Sequence, residues 1–302
     1  MAVESFGRNR KSLVRPFSKD DLEIIAKYQQ KNKDYKHLLQ VHITDYCNIP
    51  NHAKCREFCY QHSNVNQNFM TFSTFQTVLK KYTPWQIALG GGEPTTHPQF
   101  LDFLKYAKQQ KYLKYANYTT NAVQIPENFP EVIQYADGVS ISLDSLRYPH
   151  LFTHGVPDWI QPQLSIYQSS PLPLALNFVI SRQNLKDLQY LADFALENHF
   201  SGVYLLSFKT MSPEDLFFKE RSKFLAEFSN FCDKLNEYNI ILATDCCFGN
   251  YLHFKTDCGA NQRFCDIHLS GKVSGCSFKR ILGKNECPLI KYIQDLQEMF
   301  YS

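Results

Sequence analysis

Six apolar runs of strand length, separated by stretches of helical period, constrain this chain more than any other feature. The strand-like runs are "HLLQVHIT" (37–44), "WQIALG" (85–90), "LKYANYTT" (113–120), "GVSISLD" (138–144), "LALNFVIS" (174–181) and "GVYLLSFK" (202–209). Between them lie helical candidates at 71–82, 98–110 and 184–199, the last with Leu185, Leu188, Leu191, Ala192 and Ala195 along one face. Such alternation predicts an α/β fold with a mostly parallel sheet and helices outside, either open or curled into a barrel. In both versions chemistry belongs at the carboxyl ends of the strands. There, "HIT" runs straight into "DYC" and "ALGGGEP" into three glycines, so these two loops are expected to be neighbours.

The first of those loops, "DYCNIPNHAKCREFCYQHS", carries Cys47, Cys55 and Cys59. No segment reaches the ~18 apolar residues of a membrane span, and the N-terminus lacks the apolar core of a signal peptide. A cytoplasmic protein is therefore expected, where clustered thiols point to metal or catalysis rather than disulfides. Net charge is +3 with both signs interspersed, which excludes the global field of a nucleic-acid binder. Three thiolates in one loop can ligate three irons of a [4Fe–4S] cluster and leave the fourth iron open. A closed zinc site completed by His52 or His62 is the other reading that this loop allows by itself.

The order of motifs separates these two. Over about residues 38–210 the chain resembles the radical S-adenosylmethionine superfamily: a cysteine loop after the first strand with Phe58 just before its last cysteine, Gly90-Gly91-Gly92-Glu93-Pro94 after the second, "YTTNA" after the third, "VSISLDS" on the fourth and "NFVISRQN" on the fifth. The resemblance implies a partial (β/α)6 barrel at 37–210, with Cys47, Cys55 and Cys59 holding the [4Fe–4S] cluster. It further implies that Phe58, Gly91, Gly92, Glu93, Asn121, Ser142 and Arg182 contact S-adenosylmethionine, Glu93 meeting the ammonium of its methionine moiety. Thr119, Thr120, Ser140 and Asp144 are further candidates by strand position, and Asn177 points from a barrel strand. The family's usual gaps of three and two residues between cysteines are seven and three here, so the loop is longer than its relatives'.

The N-terminal extension (1–36) and a connecting helix (211–239) flank the barrel. Within that helix, Cys232 lies in an apolar pattern with Phe228, Phe231 and Leu235 and is expected in the core. A cysteine-rich tail (240–302) follows, with "SGK" as a hairpin turn. Cys258, with twelve residues between it and Gly271, and Cys276, with four between Gly271 and it, resemble the SPASM and twitch extensions, whose hairpin presents cysteines to an auxiliary iron–sulfur cluster. The expectation is a small β-hairpin/helix domain with one auxiliary cluster on Cys247, Cys258, Cys276 and Cys287, with Cys246 and Cys265 in reserve; a zinc knuckle is the runner-up.

The resemblance implies reductive cleavage of S-adenosylmethionine and modification of a ribosomally made peptide, by cross-linking, epimerisation, thioether formation or backbone splicing. A small-molecule radical enzyme and a metal-binding scaffold without turnover are the alternatives. With only about 36 residues ahead of the first strand, a separate leader-binding protein is the expected partner, together with a reductant such as flavodoxin or ferredoxin. No catalytic acid or base stands out.

Overall fold

The computed structural model describes residues 18–49, 59, 67–148, 155–209, 221–253, 259–277, 287, 290 and 293–294. Helix α1 (Lys19–Lys31) begins where Ser18 and Asp21 exchange hydrogen bonds, each backbone N–H donating to the other's side chain at 3.1 Å, so two otherwise unpaired donors are satisfied at once. The order continues β1 (Leu38–Thr44), α2 (Phe72–Tyr82), β2 (Gln86–Gly91), α3 (Phe100–Lys108), β3 (Tyr115–Thr120), α4 (Phe129–Tyr135) and β4 (Gly138–Leu143). Next come α5 (Ile160–Gln168), β5 (Leu174–Ile180), α6 (Leu188–Glu197), β6 (Gly202–Ser207) and α7 (Arg221–Glu237). The last described elements are β7 (Ile241–Thr244), α8 (Cys246–His253), β8 (Phe264–Ile267) and β9 (Val273–Ser274). All six strands read from the apolar runs are present; α4, α5, β7 and α8 lack a strong enough period to be read in advance.

The strands form one sheet in the order β7-β6-β5-β4-β3-β2-β1-β8-β9. Neighbours from β7 through β8 pair in parallel, and only β9 is antiparallel, on β8. The tail expected to stand as a separate small domain thus contributes β7 to one edge and β8–β9 to the other. Among the described residues no helix is long and apolar enough to cross a membrane.

Alternation along each strand sorts the two faces. Leu39, Val41 and Ile43, Ile87 and Leu89, Ala116 and Tyr118, Val139 and Ile141, Leu176 and Phe178 are all buried in one core with Phe75, Leu79, Phe103, Leu104, Val132, Leu164, Leu191 and Phe228 from the helices. Phe75 and Phe103 stack there with centroids 4.5 Å apart, and Cys232 is buried in the same core. The opposite face, followed through the register, carries Asp266, Gln40, Ala88 and Asn117 in one row and His42, Gly90, Thr119, Ser140 and Ala175 in the next. On this second face Asn177 Nδ2 (β5) donates to Thr119 Oγ1 (β3) at 3.3 Å, across β4. Strands two apart lie roughly 9.6 Å from each other in a flat sheet, so this face is concave, and small or polar residues line it.

Buried polar side chains hold the carboxyl ends in place. Asn184, fully buried, donates to the carbonyls of Asp144 and Val179 and accepts the Ser181 N–H. Asp187, also fully buried, accepts the N–H groups of Leu146, Arg147 and Tyr148 at 2.8, 2.9 and 3.2 Å. Asp187→Ala leaves three partly buried N–H donors without their acceptor and is expected to cost about 3 kcal/mol, read by calorimetry as a fall in Tm of about 5 °C. Asp187→Asn keeps one acceptor oxygen and should lose about half as much; equal, negligible losses in both would show that the loop needs no such anchor.

Candidate active site

The site is built where β1, β2 and β3 end. Beyond Thr44 the chain enters the cysteine loop, whose neck is closed by its own return: Asp45 accepts from Asn68 N and Nδ2 at 3.1 and 2.7 Å, Thr44 Oγ1 donates to Asn68 O at 3.0 Å, and Met70 N donates to Ile43 O at 2.7 Å. Cys47 and Cys59 are both half-buried; Cys55 and Phe58 lie outside the described residues. The Cys47 sulfur accepts from the Ile49 N–H and from Asn121 Nδ2, the latter at 3.5 Å. Burial pushes its thiol up, and the nearby charges of Glu93 and Cys59 push the same way. Donors on a sulfur stabilise its thiolate and tune a bound metal. The chemistry of the two described thiols, Cys47 and Cys59, fits an iron–sulfur cluster.

The glycine loop is zipped onto the exit of β1. Gly92 N donates to Thr44 O at 2.8 Å and Glu93 N to Tyr46 O at 2.7 Å. A Cβ on Gly91 would stand 2.1 Å from Thr44 O, and one on Gly92 2.0 Å from Tyr46 O. The close approach that these two glycines allow is thus to the chain's own backbone. Gly90 differs, because a Cβ there would meet nothing within 4 Å; it borders the open hollow of the concave face.

Glu93 is 1% exposed, and burial raises its pKa. Its Oε2 accepts the Asn121 N–H at 2.7 Å, while Oε1 accepts from the Thr95 hydroxyl at 2.7 Å and the Thr95 N–H at 3.3 Å. The carboxylate therefore ties the loop after β2 to the end of β3, where Asn121 in turn reaches Asn48 Oδ1 at 3.0 Å. Trp159 donates its indole N–H to Asn121 O at 3.3 Å. Asn121, Glu93, Gly92 and Cys47 form one bonded set. Ser142 and Arg182 are exposed at the ends of β4 and β5, Ser140 and Thr119 stand in the hollow, and Thr120 and Asp144 are buried.

The described tail cysteines lie on or beside strands at the two ends of the strand order, which the curl of the sheet turns towards each other. Cys246 and Cys247 open α8 directly after β7, where Asp245 accepts from Phe248 N at 2.8 Å and from Ser207 N and Oγ at 3.1 and 2.9 Å. Cys247 lies within hydrogen-bond reach of Cys246 and Cys287, and these neighbours, with burial, push its thiol well up. Cys276 is buried just after β9, and Cys258 lies outside the described residues. Cys265 pairs in register with Leu39, on the helix-covered face and away from the hollow. Among the described residues no three acidic, histidine or cysteine side chains converge as a metal site. The sequence reading missed Asn184 and Asp187, whose burial no local pattern announces, and His42, a polar residue in an otherwise apolar strand.

No family model and no curated protein matches this sequence. Solved structures do. SuiB of Streptococcus suis bound to S-adenosylmethionine superposes on 91% of this chain and 69% of its own, with a TM-score of 0.64 at 17% identity. SuiB bound to its precursor peptide SuiA covers 95% and 70%, with a TM-score of 0.63 at 17% identity. Native anSMEcpe with bound AdoMet covers 80% and 75%, with a TM-score of 0.55 at 17% identity. At such identity the likeness is one of fold, and with the parallel order of β1–β6 and the loops at their carboxyl ends it leads to one statement: the chain has the partial-barrel fold of the radical S-adenosylmethionine enzymes.

Proposed function

We propose that this chain is a radical S-adenosylmethionine enzyme that modifies a ribosomally made peptide. The observation that carries the reading is the bonded set at the barrel mouth: the Cys47 sulfur with two N–H donors, locked through Asn121 and Glu93 to a glycine loop that borders an open hollow. Cys47, Cys55 and Cys59 would hold the cluster. When bound, it supplies the electron that cleaves S-adenosylmethionine to methionine and a 5′-deoxyadenosyl radical. The chain's own residues supply position: the bonds between Asp45 and Asn68 fix the chain two residues before Cys47, and the row of Gly90, Thr119, Ser140 and Ala175 leaves room and polar contacts on the concave face.

A peptide substrate is supported by the likeness to SuiB, seen with its precursor peptide, and to anSMEcpe, seen with the Cp18Cys peptide. Cys247 and Cys287, with Cys258 and Cys276, are the proposed ligands of an auxiliary cluster. The alanine variant of Cys287 should therefore lower bound iron from about eight to about four per chain while the first cluster persists, as iron analysis and electron paramagnetic resonance would show; unchanged iron would remove Cys287 from the set. A reductant of the flavodoxin or ferredoxin kind and a separate leader-binding protein complete the proposal.

The test is anaerobic reconstitution followed by reduction with dithionite and quantification of 5′-deoxyadenosine. Release is expected, rising when a precursor peptide is added. Iron bound without release would favour a scaffold, and release that ignores peptides would favour a small-molecule enzyme.

A further inference from the structure

The concave face carries one ionisable pair that the reading above does not use. His42, two residues before the end of β1, and Asp266 on β8 share that face by register and are 7% and 0% exposed. His42 Nε2 is bonded to Asp266 Oδ2, and the Ser274 hydroxyl of β9, which lies 3.0 Å from the Cys276 carbonyl oxygen, stands 3.4 Å from the other carboxylate oxygen. A carboxylate only accepts, so Nε2 carries the ring proton and the other nitrogen, Nδ1, keeps its lone pair in the neutral ring. Nδ1 is buried and has no hydrogen-bond partner among the described residues, an arrangement that costs stability until a donor arrives. His42 pairs in register with Gly90, where a Cβ would meet open space.

We propose that His42 Nδ1 is the acceptor for an N–H or O–H group of the molecule held in this hollow, and that Asp266 is the positioning residue that fixes the ring's tautomer. The inference rests on the hollow being the nucleotide and peptide site. The donor is either an ammonium or ribose hydroxyl of the nucleotide or an amide of the peptide. Because Asp266 arrives on β8, the cysteine-rich tail would complete the barrel's binding face rather than only carry a second cluster.

The test labels the anaerobic holoenzyme with diethyl pyrocarbonate, which acylates a ring nitrogen bearing a lone pair, and follows the His42 peptide by mass spectrometry with exposed His199 as the reference. Two further arms add S-adenosylhomocysteine or a pool of acetylated, amidated tripeptides. His42, 7% exposed, should be acylated more slowly than exposed His199, and the arm that supplies the donor should slow it a further fivefold or so, naming the source. Asp266→Asn offers an N–H to Nε2 and moves the ring proton to Nδ1, so labelling should fall about tenfold while His199 labelling and Tm hold. The proposal is overturned if His42 stays unlabelled while His199 reacts, if neither arm protects it, or if Asp266→Asn labels at the original rate. None of these readouts needs turnover, so a chain that labels as expected yet releases no 5′-deoxyadenosine would sink the enzyme reading and leave the acceptor standing.

Discussion

Cys47→Ala is expected to release no 5′-deoxyadenosine after anaerobic reconstitution and to lose the iron of the first cluster. Two ligands cannot hold a cluster that leaves one iron open, because each remaining iron needs its own thiolate. The loss should be all-or-none rather than graded, and it should leave the fold intact. Cys47 sits beyond the end of β1, half-buried, and the neck of the loop closes through Asp45, Asn68 and Met70 without using its sulfur. Circular dichroism and Tm should therefore match the unsubstituted chain prepared without iron. A variant that retained the cluster and still cleaved S-adenosylmethionine would end the proposed function.

The second large effect separates neighbouring glycines. Gly91 has φ +127° and no room for a Cβ, which would press on the Thr44 carbonyl oxygen. Gly91→Ala should therefore cost about 4 kcal/mol or more, the sum of a forbidden backbone conformation and a clash with main chain that no rotamer change relieves. Gly90→Ala has open space for its methyl group and should shift stability by less than about 1 kcal/mol. Its effect should fall on the ligand instead: a methyl group in the hollow should weaken S-adenosylmethionine binding about tenfold, equal to 1.4 kcal/mol. Thermal unfolding and equilibrium binding measured on the same two variants decide it. Equal stability losses would mean that both glycines serve only the turn.

The barrel was legible because every second residue of each strand is apolar and buried on the helix side, while the longer helices between them keep their period. The meeting of the cysteine and glycine loops was legible for the same reason, since parallel strands put successive loops at one end. What could not be read is what depends on the third dimension. Sequence pattern assigns Gly91 and Gly92 to a ligand as readily as to the carbonyls of Thr44 and Tyr46, and it cannot tell that both oxygens of Glu93 are taken by Asn121 and Thr95. Nor can a four-residue strand such as Ile241–Thr244 announce that it will pair with β6, because its burial comes from a neighbour that lies far away in the chain. His42 and Asp266, 224 positions apart, leave no local signal at all.

The placement of β7 on one margin of the sheet and β8–β9 on the other has a consequence for how this chain can be cut. A fragment ending before Ile241 would bare the rims of β6 and β1 together, two rows of main-chain donors and acceptors open to any passing strand. Such a fragment should precipitate or pair with copies of itself, however intact its cysteine loop. In evolutionary and engineering terms β7, β8 and β9 are not an ornament that can be shed or swapped, but the hem that keeps the sheet from fraying.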